Sequence, residues 1–83
     1  MITELRCEYD SRASFYRKAL IINDERGLTL RSYDTEVANI NNNKVIVFGT
    51  HSITTLRHIK EFLIQNGFKA DNKKQIEEDY IKD

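Results

Sequence analysis

The sequence predicts a small α+β domain: an antiparallel sheet of three to four strands, one amphipathic helix packed on a face of the sheet, and a short C-terminal helix. Short strand-like segments are separated by two compact turn signals, at 24–27 and 41–43. They precede a single strong helical pattern, from Ser52 to Phe68, and do not alternate with helices. Hairpins followed by a helix are typical of the α+β class, and 83 residues make one domain.

The N-terminal quarter carries one clear strand signal. Residues 1–13 show no sustained periodicity, so we expect an irregular lead-in or a short edge element there. Residues 14–23 are rich in aromatic and β-branched side chains and predict a strand that ends in the apolar run 20–22. The segment 24–27 predicts a turn, because Gly27 can adopt the positive φ that closes a short hairpin loop.

The middle of the chain predicts three further strands. Residues 28–33 alternate between two faces, which is typical of a half-buried strand. A bulge or corner at 34–35 leads into a short strand at 36–40. The three asparagines at 41–43 tolerate left-handed geometry and predict a tight hairpin. The run 44–49, KVIVFG, is almost continuously apolar, so we expect it at a central position in the sheet.

The helix from Ser52 to Phe68 carries the strongest signals of the chain. Its first turn offers three capping hydroxyls, those of Ser52, Thr54 and Thr55. Apolar side chains then recur at spacings of three and four: Leu56, Ile59, Phe62 and Leu63. Gly67 ends the helix in the left-handed conformation, and the residue after it packs back on the last turn in a Schellman motif.

The C-terminal segment predicts a second, marginal helix. After a polar linker at 69–72, Asp71 or Asn72 can cap a helix over 73–82. Ile76 and Tyr80 lie one turn apart and give this helix its only apolar side, so it is expected to dock weakly or fray.

Composition narrows the class of protein and its compartment. Thirteen cationic and thirteen anionic residues balance, which disfavours sequence-independent coating of DNA or RNA. The single cysteine, Cys7, excludes an internal disulfide and fits a reducing compartment. No run approaches a membrane span and the start of the chain lacks a signal peptide, so no membrane association and a cytoplasmic location are expected.

Few residues suggest catalysis or the binding of a small ligand or metal. The start of the helix gathers free amides and hydroxyls and could hold a phosphate or carboxylate, although ordinary capping explains the same residues. His51, His58 and Cys7 match no zinc pattern, so neither a metal nor another cofactor is expected. No specific nucleophile accompanies His58, so we expect a solvated histidine and a protein that is not an enzyme.

Three segments of the sequence carry a family resemblance: SFYRKA at 14–19, SYDTEVANI at 32–40 and SITTLRHIKEFLIQNG at 52–67. Together they resemble a family of small proteins of bacteriophages and their low-GC Gram-positive hosts. The family pattern reads approximately SFYxKA, SYDTxVAxI, SxTTxRHIxEFLxQNG and covers residues 14–68. The family has no known function, so the resemblance implies a phage-related setting and no mechanism.

The leading functional hypothesis follows from that setting by association. We expect a non-enzymatic accessory protein that binds a host protein or protein–RNA complex stoichiometrically, with an anti-defence, anti-CRISPR-like inhibitor as one such role. The alternatives are a small nucleic-acid-binding module that uses the sheet face and a nucleotide or phosphate binder at the helix start. Self-association into a homo-oligomer is a further option, because a chain this short has a thin stability margin. The expected binding residues are Ser52, Thr54, Thr55, Arg57, His58, Lys60, Glu61, Arg31 and Tyr33.

Overall fold

The computed structural model describes residues 1–81 and contains one five-stranded antiparallel sheet and two helices. The elements, in chain order, are β1 (Ile2–Glu4), β2 (Ala19–Asp24), β3 (Gly27–Ser32), β4 (Thr35–Asn41), β5 (Lys44–Val47), α1 (Ile53–Gln65) and α2 (Lys73–Tyr80). The strand order is β1-β2-β3-β4-β5. The predicted α+β class is confirmed, but the sheet has five strands and not three or four. The additional strand is β1, which is the short edge element given as one alternative for residues 1–13.

Tight turns connect the four strands from β2 to β5. Gly27 has φ +93°, and a Cβ at this position would overlap the carbonyl oxygen of Ile40. Asn42 and Asn43 have φ of 52° and 63°, the pair of left-handed residues that a type I′ hairpin requires. Both predicted hairpins are therefore confirmed. Between β3 and β4, Tyr33 also takes a positive φ, 57°, in a two-residue turn.

The turn at 33–34 is the corner expected near 34–35, and a separate irregularity of the sheet lies further along β4. Leu30 pairs with Ala38, but Arg31 pairs with Glu36, so Val37 is an extra residue on β4. Val37 and Ala38 are both fully buried. The bulge therefore turns two consecutive side chains of β4 towards the core.

Two strand predictions are wrong in part. Residues 14–18 are not extended, because Tyr16 and Arg17 adopt left-handed φ values of 53° and 63°, and β2 begins only after this turn. β5 lies at an edge of the sheet and not at its centre. Its apolar character has another cause: Val45 and Val47 face the core, and contacts from α2 help to keep them 8% and 1% exposed.

Local capping defines both helices. The Ser52 hydroxyl caps α1 by accepting from the Thr55 amide at 3.2 Å. At the other end, the amides of Gly67 and Phe68 donate back to the last turn at 3.0 and 2.9 Å, which confirms the Schellman motif. Asn72 caps α2. This helix ends at Tyr80, because Ile81 is extended, so the predicted helix over 73–82 is too long; only its last residue lies outside the described residues.

The core lies between one face of the sheet and both helices. Ile59, Phe62 and Leu63 of α1 and Ile76 of α2 are completely buried in a single cluster with the inward side chains of the strands. The opposite face, which we call the outer face, is crossed by a row of paired residues: Ile2, Ile22, Thr29, Asn39 and Ile46. Neither helix covers this outer face, so the described chain has two layers.

Candidate functional site

The loop between β1 and β2, residues 5–18, lies over the polar side of α1 and is held there by Glu61. The Glu61 carboxylate accepts hydrogen bonds from the Tyr9 amide at 3.0 and 3.2 Å and from the Asp10 amide at 2.8 Å. Gln65 Nε2 donates to the same group at 2.7 Å. Glu61 is only 1% exposed, and these donors stabilise its buried charge. Glu61 therefore positions the loop and does not present its carboxylate to solvent.

His58 is buried beneath the same loop. It is fully buried, its ring lies 4.5 Å from the Phe15 ring in an edge arrangement, and its Nδ1 is 2.8 Å from the Ser32 hydroxyl. Burial lowers the pKa of His58, the charge of Arg12 lowers it further, and Asp10 raises it. His58 Nε2 has no hydrogen-bond partner among residues 1–81. The expectation of a solvated histidine is wrong, because the loop covers this side of the helix.

A chain of hydroxyls joins His58 to the start of α1. Ser32 Oγ lies 3.0 Å from Thr55 Oγ1, and the Ser52 hydroxyl donates to Thr55 Oγ1 at 3.3 Å. Ser32 and Thr55 are 2% and 5% exposed, so neither can contact a partner directly. The chain fastens the first turn of α1 to β3, and it accounts for the polar residues in this part of the core.

The remaining predicted binding residues reach the surface, but not all on one side. Tyr33 is 48% exposed and packs beside His58, with 5.9 Å between the ring centroids. Arg57 and Lys60 line a small concavity over α1, and Arg57 forms an ion pair with Asp10 at 3.4 Å. Arg31 projects from the outer face, because its neighbours in β3 point towards the helices. Arg31 is therefore separated from the other predicted residues.

The exposed side chains of the β1–β2 loop are not among the predicted binding residues. Tyr9 and Tyr16 are 63% and 74% exposed. Lys18 links this loop to the β3–β4 turn, because its carbonyl accepts from the Tyr33 amide at 2.6 Å and its Nζ lies 5.9 Å from the Tyr33 ring centre. We call the combined patch the tyrosine surface: Tyr9, Tyr16, Tyr33, Arg12, Arg17, Lys18, Arg57 and Lys60.

The predicted anion site at the start of α1 lies beside a separate concavity of about 230 Å³, whose lining includes His51, Ser52 and Lys73. The Ser52 hydroxyl already caps the helix. Thr50, also on the wall, donates its hydroxyl to Glu77 at 2.9 Å. In the described contacts, the Ser52 hydroxyl therefore serves to cap α1 and the Thr50 hydroxyl serves to pack against α2. Among residues 1–81, no three His, Cys, Asp or Glu side chains are grouped so that they could hold a metal ion.

Fold and site together define a small two-layer α+β protein, in which a loop is fastened over the polar side of one helix. The chain belongs to DUF8033, a family of unknown function whose model matches residues 3–78. This match contains the whole of the stretch 14–68 that carries the resemblance described above. Neither a curated protein nor a solved structure matches the chain. Within residues 1–81, no helix is long and apolar enough to cross a membrane.

Proposed function

We propose that the protein acts by stoichiometric binding to another protein through the tyrosine surface, and not by catalysis. The observation that carries this proposal is the clustering of exposed aromatic side chains with cations. Tyr9, Tyr16 and Tyr33 are all about half-exposed or more. Tyrosine and arginine are among the residues most enriched in the energetic centres of protein interfaces.

The backbone beneath these side chains is held in place. Tyr16, Arg17 and Tyr33 all have positive φ, a conformation that non-glycine residues keep only where surrounding contacts enforce it. The Glu4 carboxylate accepts from the Arg17 amide at 3.0 Å, and Glu61 holds the other end of the loop. A surface ordered before binding loses less conformational entropy when a partner docks.

The surface carries charges of both signs. Its cations are Arg12, Arg17, Lys18, Arg57 and Lys60, and the acidic groups beside them are Glu4, Glu8, Asp10, Asp34 and Glu61. Asp10 is engaged with Arg57, and Glu4 and Glu61 accept from the backbone of the loop. A partner with a complementary pattern of charges would associate faster and be selected over wrong partners.

The resemblance to bacteriophage proteins supplies the proposed setting. We take the partner to be a host protein or a protein–RNA complex in the bacterial cytoplasm, and an anti-defence inhibitor to be the role that fits a small stoichiometric binder.

An affinity purification from bacterial lysate tests this proposal, with the eluate divided between mass spectrometry and nucleic-acid analysis. We expect one co-purifying protein, and we expect Arg57→Ala combined with Lys60→Ala to reduce its recovery by about tenfold or more. Lys69→Ala combined with Lys74→Ala removes two cations from outside the surface and serves as the matched control. Equal recovery with both double variants would show that the tyrosine surface is not the binding site.

The two alternatives make different predictions in related experiments. A nucleic-acid-binding module would retain nucleic acid alone and release it steeply as salt rises. A phosphate binder at the start of α1 would be stabilised by inorganic phosphate in a thermal unfolding assay. Lys73 lines that concavity, so Lys73→Ala would abolish this stabilisation while leaving protein capture unchanged.

A further inference from the structure

The imidazole of His58 is buried where the β1–β2 loop, α1 and β3 meet. It is fully buried, and its Nδ1 lies 2.8 Å from the Ser32 hydroxyl. Its Nε2 has no hydrogen-bond partner within the described part of the chain, residues 1–81. A protonated imidazole is charged and donates from both nitrogens, so it needs an acceptor at Nε2 as well. These surroundings therefore suit the neutral ring, and burying the charged ring in them costs free energy.

Phe15 of the β1–β2 loop separates this ring from water. Its side chain is 3% exposed, and its ring meets the imidazole in an edge arrangement with 4.5 Å between the ring centroids. Tyr33, in the turn after β3, lies 5.9 Å from the imidazole. Water can accept from a second N–H group, but it reaches Nε2 only when this cover moves. The protonation of His58 and the position of the loop are therefore coupled.

The carboxylates nearby are engaged elsewhere. The titratable side chains of the elements packed around His58 are Asp10, Arg12 and Lys18 of the loop, Arg57 and Glu61 of α1, and Tyr33 after β3. Asp10 pairs with Arg57 at 3.4 Å, and Glu61 accepts from the Asp10 amide at 2.8 Å. Burial lowers the pKa of His58, Arg12 lowers it further, and Asp10 raises it. The balance of these effects favours the neutral ring.

The loop is the irregular segment among the elements around this ring, and a few side chains fasten it. Glu61 holds the amides of Tyr9 and Asp10. The Glu4 carboxylate accepts from the Arg17 amide at 3.0 Å. Segments held by few backbone hydrogen bonds open at a lower free energy than helices and central strands. Displacement of the loop is therefore the least costly way to admit water to Nε2.

We propose that the β1–β2 loop is an acid-sensitive lid, which opens when His58 is protonated and thereby takes apart the tyrosine surface. In the open state Phe15 leaves the imidazole and water accepts from Nε2. Tyr9 and Tyr16 move with the loop, so they no longer lie beside Tyr33 on one surface. The release of a bound partner by acid rests on the proposed function, whereas the opening itself does not.

Proton linkage gives the direction and the size of the effect. A histidine in water has a pKa of about 6.5, and the closed lid lowers the pKa of His58. Below about pH 6.5 the open state therefore binds more protons than the closed state, so acid favours opening. The ratio of open to closed molecules rises by at most about tenfold per pH unit, until the pH reaches the lowered pKa of the closed state.

Amide hydrogen exchange of the full chain at about pH 7 and about pH 5 tests this inference, with each rate corrected for the intrinsic pH dependence of exchange. We expect the Tyr9, Asp10 and Arg17 amides to be less protected than amides of β3 and β4 at both pH values. We expect their protection to fall by about fivefold to thirtyfold from the higher to the lower pH. This loss should be absent in His58→Gln.

His51→Gln is the matched control, because His51 is exposed and lies before α1, so it should leave the loss of protection unchanged. Circular dichroism confirms that both variants are folded. Three results would overturn the inference: loop amides as protected as those of β3 and β4, loop protection that does not change with pH, or the same loss in His58→Gln as in the unmodified chain.

Partner capture at the same two pH values extends the test to the proposed function. The unmodified chain and His51→Gln should lose the partner at the lower pH, and His58→Gln should retain it. Capture of no partner at either pH contradicts the proposed function alone, because the exchange rates still decide whether the lid opens. Equal retention at both pH values by the unmodified chain would contradict the dismantling of the tyrosine surface.

Discussion

Replacement of Glu61 tests how the tyrosine surface is held in place. Glu61→Ala removes the acceptor of the Tyr9 and Asp10 amides and of Gln65 Nε2. A hydrogen bond to a charged group contributes about 1.5–3 kcal/mol, so the two backbone bonds together correspond to about 3–6 kcal/mol. Part of this loss is offset, because alanine also removes a carboxylate that is costly to bury. We therefore expect the free energy of unfolding to fall by about 3 kcal/mol, a large share of the 5–15 kcal/mol of a typical domain.

Urea unfolding followed by circular dichroism measures this change, and amide hydrogen exchange locates it. The Tyr9 and Asp10 amides should lose protection in Glu61→Ala, whereas amides in the central strands should keep their order of protection. Glu61→Gln retains an acceptor oxygen and should lose less. Glu78→Ala, an exposed carboxylate on α2, is the control and should change stability by less than about 0.5 kcal/mol. A comparably small change in Glu61→Ala, with both loop amides still protected, would refute the reasoning.

Two further predictions concern pH and backbone geometry. Burial lowers the pKa of His58 below 6.5, so below that pH the unfolded chain binds more protons than the folded chain. The contribution of His58 to the free energy of unfolding should therefore be fully present above pH 6.5 and decline as pH falls, by at most about 1.4 kcal/mol per pH unit. An equal slope of the unfolding free energy against pH in His58→Gln would contradict this. Gly27→Ala should destabilise by well over 1 kcal/mol because its Cβ would overlap the Ile40 carbonyl oxygen. Gly67→Ala, also at positive φ but with no atom within 4 Å, should cost only about 1 kcal/mol, and equal unfolding free energies in urea would contradict the overlap argument.

Elements defined by local sequence were predictable. The Ser52 cap, the Gly67 ending and the paired asparagines act within a few residues, so their signals can be read directly. The turn at Tyr16 and Arg17 could not be read in this way. Neither residue is a glycine, and a carboxylate from β1 contributes to holding the left-handed geometry. The edge position of β5 could not be predicted either, because its apolar pattern does not show that α2 covers it.

The buried part of the candidate site could not be predicted from the sequence, for a related reason. A helical pattern assigns His58 and Glu61 to the polar side of α1, and that assignment is correct. It does not show that the β1–β2 loop, which is distant in sequence, covers this side. Because of this loop, His58 and Glu61 are buried and make structural contacts within the chain, where contacts to a partner were expected. Arg57, Lys60 and Tyr33 reach the surface as the hypothesis requires. Of the exposed tyrosines of the loop, Tyr16 lies in the predicted strand 14–23 and Tyr9 in the expected lead-in or edge element 1–13.

The order of the strands has a consequence for how the chain folds. Each strand pairs with its neighbour in sequence, so the hairpins of β2 to β5 close short loops, and such local contacts form quickly. The contacts that fasten the β1–β2 loop are different: Tyr9 and Glu61 are 52 residues apart, and Asp10 and Arg57 are 47 apart. These contacts carry the greater loop-closure entropy and are expected after the hairpins. The tyrosine surface is then the last part of the molecule to form, and in a partly folded chain it is the first to be lost.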